Sequence, residues 1–112
     1  MIFLKERKNG KHIVLEVKGE LDLYNATELK TEATKVIDKM DGNSMVLDFD
    51  GVSYIDSSGL GVIIQIKNLL KEKGKTIAFL NIRESIIKVF KFMRFDKNLK
   101  IYSCEEELSS DN

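Results

Sequence analysis

Between His12 and Lys18 the chain alternates: Ile13, Leu15 and Val17 fall on one side of an extended backbone, and His12, Val14 and Glu16 on the other. A period of two predicts a strand with one firmly apolar face and one mixed face, and it turns His12 toward solvent. Ile2 to Arg7 reads as a strand before it. Asn9-Gly10 between the two accepts positive φ in a tight turn, so the chain is expected to open as an antiparallel hairpin. After Gly19-Glu20-Leu21-Asp22 the period becomes helical. Ala26, Leu29, Ala33, Val36, Ile37 and Met40 share one side, with Lys30, Thr31, Glu32, Lys35 and Lys39 on the other. Asn25 stands three residues before Glu28 as a capping-box pair, and Asp41-Gly42-Asn43 stops the helix.

Ser44 to Phe49 reads as a buried strand, Asp50 to Asp56 as a loop, and Leu60 to Lys73 as a second helix. Its apolar stripe of Leu60, Val62, Ile63, Ile64, Ile66, Leu69 and Leu70 is wide enough to predict cover over most of its girth. Gly74 ends it, and Thr76 to Leu80 is a strand too apolar for an edge exposed on both faces. Ile86, Ile87, Val89, Phe90 and Met93 mark a third helix. A short strand from Leu99 to Tyr102 and a frayed acidic helical tail from Glu105 close the chain. Strands alternating with helices require crossover connections. The expected fold is therefore a single α/β domain over residues 1–112, a mixed, mainly parallel sheet of four to five strands with about four helices on its faces.

At 112 residues the chain suits one core that buries about two-thirds of its unfolded surface. Lys plus Arg and Asp plus Glu number 18 each, so no net field gathers nucleic acid or an acidic membrane, and neither is an expected partner. The opening Ile2-Phe3-Leu4 runs straight into Lys5-Glu6-Arg7-Lys8 rather than into a signal-peptide apolar region, and no stretch is long enough to span a bilayer. A cytoplasmic protein is expected. The single cysteine, Cys104, fits a reducing compartment and reads as an inert small side chain.

Chemistry concentrates at Asp56-Ser57-Ser58-Gly59-Leu60-Gly61, directly before the second helix. A helix start exposes unpaired N–H groups and about half a positive charge, and so favours anions. A serine there either caps the helix or carries a phosphate. Asp56, Ser57 and Ser58 compete for one cap, which leaves at least one of them over. Other motifs lack parts. Leu47-Asp48-Phe49-Asp50-Gly51-Val52 is similar to the nucleophile motif of haloacid-dehalogenase phosphatases, in which the first Asp attacks phosphorus and the second moves the proton. Here a hairpin and a helix precede it and too little chain follows. Gly74-Lys75-Thr76 is similar to the end of a phosphate-binding loop, but Leu69 stands where a Gly is required and the order runs from helix to strand. Ile64 stands where a dinucleotide fingerprint needs its third glycine. No Gly-x-Ser-x-Gly elbow encloses either serine. Asp22, Asp48, Asp50 and Asp56 have no spacing that demands a cation, so neither a metal nor a cofactor is expected.

Gly19-Glu20-Leu21-Asp22, the run from Val46 to Asp56, and Ser57-Ser58-Gly59-Leu60-Gly61 together resemble the signature of STAS domains, and within them the bacterial anti-sigma-factor antagonists. The similarity in element order covers essentially the whole chain. It implies a non-enzymatic switch that binds an anti-sigma factor, itself a serine kinase, and so frees a sigma factor for transcription. The kinase would use ATP to phosphorylate Ser57, releasing the complex, and a separate metal-dependent serine phosphatase would reset it. The resemblance places Asp22 beside the phosphorylation site. It makes Asp22, Asp56, Ser58, Gly59, Leu60 and Gly61 the partner-binding surface, with Gly59 and Gly61 allowing close approach of a partner backbone. STAS domains also serve as scaffold subunits of stress-signalling assemblies, which is the other reading.

Overall fold

The computed structural model describes residues 2–95 and 99–112. Phe3–Asn9 (β1) and His12–Leu21 (β2) form the opening hairpin, with Asn9 paired to His12 across Gly10 and Lys11. The turn therefore sits one residue later than the sequence suggests. Gly10 takes the positive φ of 58°, at the first of two turn positions. Ala26–Lys39 (α1) follows, then Ser44–Ile55 (β3), Ser57–Glu72 (α2), Thr76–Leu80 (β4), Glu84–Phe92 (α3), Lys100–Tyr102 (β5) and Glu105–Ser110 (α4). The five strands lie in the order β1-β2-β3-β4-β5, antiparallel between β1 and β2 and parallel elsewhere. This is the mixed, mainly parallel sheet the alternation of elements requires. No helix among the described residues is long and apolar enough to cross a membrane.

Period-two alternation divides the buried strand residues between two layers. Ile13, Leu15, Val17, Met45, Leu47, Phe49 and Phe79 join residues of α1, α2 and α3 in the main core. Three edge-to-face contacts, Phe49 to Phe79, Phe79 to Phe90 and Phe90 to Phe95, carry that core from the sheet into α3 and beyond. Val14, Val46, Ala78, Leu80 and Tyr102 point the other way and meet Leu108 of α4. The C-terminal helix is thus docked rather than frayed, because Leu108 is fully buried and both ends of α4 are tied to the hairpin. Arg7 grips Glu105 through two N–H···O bonds of 2.9 and 2.8 Å, and Asn112 accepts from the Lys11 backbone N–H at 2.8 Å. His12 lies under this helix at 1 % exposure, against the expectation that it faces water. The mixed face of β2 is apolar only where α4 covers it.

β3 continues through the segment that reads as a loop. Polar Asp50, Gly51 and Ser53 stay extended because their stretch pairs with β2 as far as Leu21–Ile55. The pairing takes up two register shifts, one between Glu16 and Lys18 and one at Gly19–Glu20, where Gly19 has φ 128°. The longer strand carries the chain to the C-terminal end of β2 and leaves Asp56 alone to turn it into α2.

Candidate functional site

At the start of α2 the competition for the cap is resolved in favour of Asp56. Its backbone is extended and one carboxylate oxygen accepts from the N–H groups of Ser58 (2.9 Å) and Gly59 (3.0 Å). Ser57, the first helical residue, is exposed, whereas Ser58 is half-buried. Among the described residues neither hydroxyl has a hydrogen-bond partner. The positive end of a sixteen-residue helix thus presents one solvent-facing hydroxyl that capping does not need.

The β2–α1 loop is locked to this helix start. The Asp56 N–H donates to the Leu21 carbonyl at 3.2 Å. A Cβ on Gly59 would stand 2.3 Å from that same oxygen and 2.8 Å from Ile55, so glycine here serves internal packing. Gly59 and Leu60, the latter 2 % exposed, are buried. The expectation that they touch a partner is corrected: the first turn of α2 faces inward on that side. Gly61 is different, since nothing lies within 4 Å of where its Cβ would be. Asp22 is half-buried and organises the loop, accepting from the backbone N–H groups of Tyr24 (3.0 Å) and Asn25 (2.9 Å). Asn25 is the N-cap of α1 without a side-chain cap bond; its amide donates to the Glu20 carbonyl instead.

Sequence reasoning missed the apolar groups around this site. Leu23 and Tyr24 are 66 % and 85 % exposed on the loop that Asp22 shapes, and Tyr54 is 49 % exposed beside Glu20 near the end of β3. The available signal was two large apolar residues inside an otherwise polar turn, where folding gives them nothing to cover.

Asp48 and Asp50 lie away from Ser57 on the α4 side of the sheet. The Asp48 carboxylate accepts from the Asp50 N–H and stands 3.5 Å from the Arg7 guanidinium, which also holds Glu16 and Glu105. Arg7 is raised above its usual range, mainly by its bonds to Glu105, and Glu105 is held below the usual carboxylate range by Arg7. This arrangement is a tether between β1, β3 and α4.

Comparison with known proteins adds four findings. Residues 4–108 match the family described as STAS domain. The sequence is 30 % identical over 111 residues to the anti-sigma-B factor antagonist of Listeria monocytogenes, covering 99 % of this chain and 96 % of that one. Among solved structures, a putative anti-sigma factor antagonist from Thermotoga maritima superimposes with a TM-score of 0.85 at 25 % identity, covering 96 % of this chain and 92 % of that one. The Bacillus cell fate determinant SpoIIAA in its phosphorylated form does so with a TM-score of 0.73 at 20 % identity, over the whole of both chains.

Proposed function

The chain belongs to the STAS domain family, and from that premise we propose that it is a non-enzymatic anti-sigma-factor antagonist switched by phosphorylation of Ser57. In this reading the unmodified protein binds an anti-sigma factor that is also a serine kinase, and a sigma factor is released. The observation that carries it is the division of labour at the start of α2: Asp56 caps, and the exposed Ser57 hydroxyl is left for chemistry. Asp22 and Asp56 act as shaping residues behind the surface. Ser58, Gly61, Leu23, Tyr24 and Tyr54 form it. Exposed tyrosines beside a polar switch are suited to a docking surface, because a large ring is desolvated with little loss of conformational freedom.

A phosphate on Ser57 adds about 1.5 to 2 negative charges beside the Asp56 carboxylate. Within the domain the positive end of α2 partly offsets that charge, so the fold stands. At the interface nothing compensates. A partner packed on a neutral hydroxyl would have to strip water from a dianion or face it with its own acidic groups, which costs several kcal/mol. The switch therefore acts on docking. A serine phosphatase would reverse it.

The test is calorimetric titration of Ser57→Ala and Ser57→Glu against the cognate anti-sigma factor. Ser57→Ala should bind as the unmodified protein does, and Ser57→Glu about 100-fold more weakly. Equal affinities would overturn the reading. So would kinase and ATP placing phosphate on Ser58 instead of Ser57, as read by mass spectrometry.

A further inference from the structure

We propose that a basic cleft at the opposite end of α2 is a binding site for a small, multiply charged phosphate compound. The cleft, about 300 Å³, lies between the C-terminal half of α2 and the first residues of β4 and β5. Lys67, Lys71, Lys75 and Lys100 surround a floor that includes Ile77 and Leu99, and among the described residues no carboxylate lines it. Lys71 is fourteen residues along the helix from Ser57, so the two sites are about 20 Å apart.

Four cations crowded together in a chain of zero net charge repel one another. The α2 dipole eases that for lysines at its C-terminal end, but it does not reach Lys100 on another element. More telling is how the ammonium groups are held. The Lys67 Nζ sits over the Phe95 ring, 5.5 Å from its centroid, and the Lys100 Nζ over the Tyr102 ring at 5.3 Å. The Lys75 Nζ donates to the Gly42 carbonyl at 2.6 Å. Each of these partners is neutral. For Lys67 and Lys75 it positions the cation and leaves its charge uncancelled, while Lys100 also lies within the field of the Asp111 carboxylate. Lys73 shows the contrast: it pairs with Asp38 at 3.6 Å and lies outside the cleft lining. Acidic partners are within reach of this part of α2, and among the described residues none lines the cleft.

The chemistry of the ligand follows. Ammonium groups are compact point charges that suit phosphate oxygens without imposing the planar fork of an arginine. Four of them leave a monocarboxylate's charge far from matched, whereas a diphosphate or an organic phosphate with two or more charges comes close. The apolar floor lowers the local dielectric and offers surface to a carbon skeleton. Gly74-Lys75-Thr76 contributes here as part of the wall, without the strand-to-helix order of a phosphate-binding loop.

The experiment is an NMR titration of the full chain with pyrophosphate and, separately, with phenyl phosphate, using sodium chloride at matched ionic strength as reference. Saturable shifts are expected at Lys67, Lys71, Ile77 and Lys100, with none at Ser57. The tighter of the two probes tells whether the site prefers an inorganic or an organic phosphate. The double substitution Lys71→Gln/Lys100→Gln should weaken binding about tenfold, whereas Lys73→Gln, which removes an equally placed charge outside the cleft, should not. Shifts that fail to saturate with either probe, or equal losses in the cleft and control variants, would overturn the proposal.

Discussion

Against Ile13, Leu15, Met45, Leu47 and Phe79 the sheet packs three helices; against Val14, Val46, Ala78 and Leu80 it packs the six residues of α4. The first closure is made of apolar area and stacked rings. The second is a small apolar cluster pinned at its rim by charge, with Arg7 on Glu105, Asn9 on Glu105 and the Tyr102 hydroxyl on Asp111. Apolar burial is indifferent to pH and salt near neutrality, while ion pairs and buried titratable groups are not. Ser57 stands at the tip of a helix from the first layer. On the proposed reading, a surface that gains and loses a dianion is thus mounted on the part of the molecule least responsive to other charges.

The largest effect should come from breaking the first closure. Phe79→Ala removes an inner ring of the edge-to-face series and leaves a cavity in a fully buried position. It should cost about 3 to 5 kcal/mol in urea denaturation, with a single cooperative loss of all elements. Leu108→Ala is the matching cut in the second closure, at about 2 to 3 kcal/mol. Because α4 is short and terminal, its loss should be local. Amide exchange should quicken at residues 105–110 well before the sheet, and affinity for the anti-sigma factor should stay within about twofold of the unmodified protein. A global transition for Leu108→Ala would erase the distinction between the two faces.

The order of the elements and the helix start at Asp56-Ser57 were legible in the sequence because both rest on local physics: periodicity of apolar residues, and the affinity of helix starts for acceptors. What was not legible depends on partners distant along the chain. His12 and Val14 share a face with Glu16 and look half-polar until α4, nearly a hundred residues later, covers the first two and leaves the third at the rim. Five acidic and polar residues around one leucine carry too little pattern to announce that docking. Likewise Asp50 to Ile55 has loop composition, and only its pairing with β2 across two bulges makes it strand. Gly59 looks like surface from its place in the first turn. The Leu21 carbonyl, brought there by β2, is what closes over it.

Gly59→Ala sharpens the comparison from the functional side. The added methyl must displace the Leu21 carbonyl or Ile55, and the strain should cost about 1 to 2 kcal/mol by thermal or urea unfolding. Displacing Leu21 also moves the loop that carries Leu23 and Tyr24, so binding to the anti-sigma factor should weaken while Ser57 itself is untouched. Unchanged affinity in a destabilised Gly59→Ala protein would detach those apolar groups from the docking surface.

The subtlest effect is the acid response of the second face. His12 lies beneath the end of α4, edge-on to Tyr102 at 5.9 Å, and neither ring nitrogen has a hydrogen-bond partner among the described residues. Burial first, and the Lys11 charge second, hold it below its ordinary value of 6.5, opposed in part by the charge and backbone carbonyl of Asp111. The folded form therefore binds fewer protons than the open form. Stability from a neutral, buried His12 is complete above about pH 6.5 and declines as the pH falls below it, toward the lowered folded value. Glu105 and Asp111 are shifted down by Arg7 and the Tyr102 hydroxyl respectively, so their contributions persist until the carboxylate range, below about pH 4.5, and are lost there. Two separate steps are expected in the protection of α4 amides, measured by hydrogen exchange after correction for intrinsic rates. His12→Phe should abolish the upper step and keep the lower one, since a phenyl ring fills the same place without titrating. Were α4 protection in the unmodified protein flat from pH 7.5 to 5, the histidine would not be a titrating part of this closure, and only the carboxylates would set its response to acid.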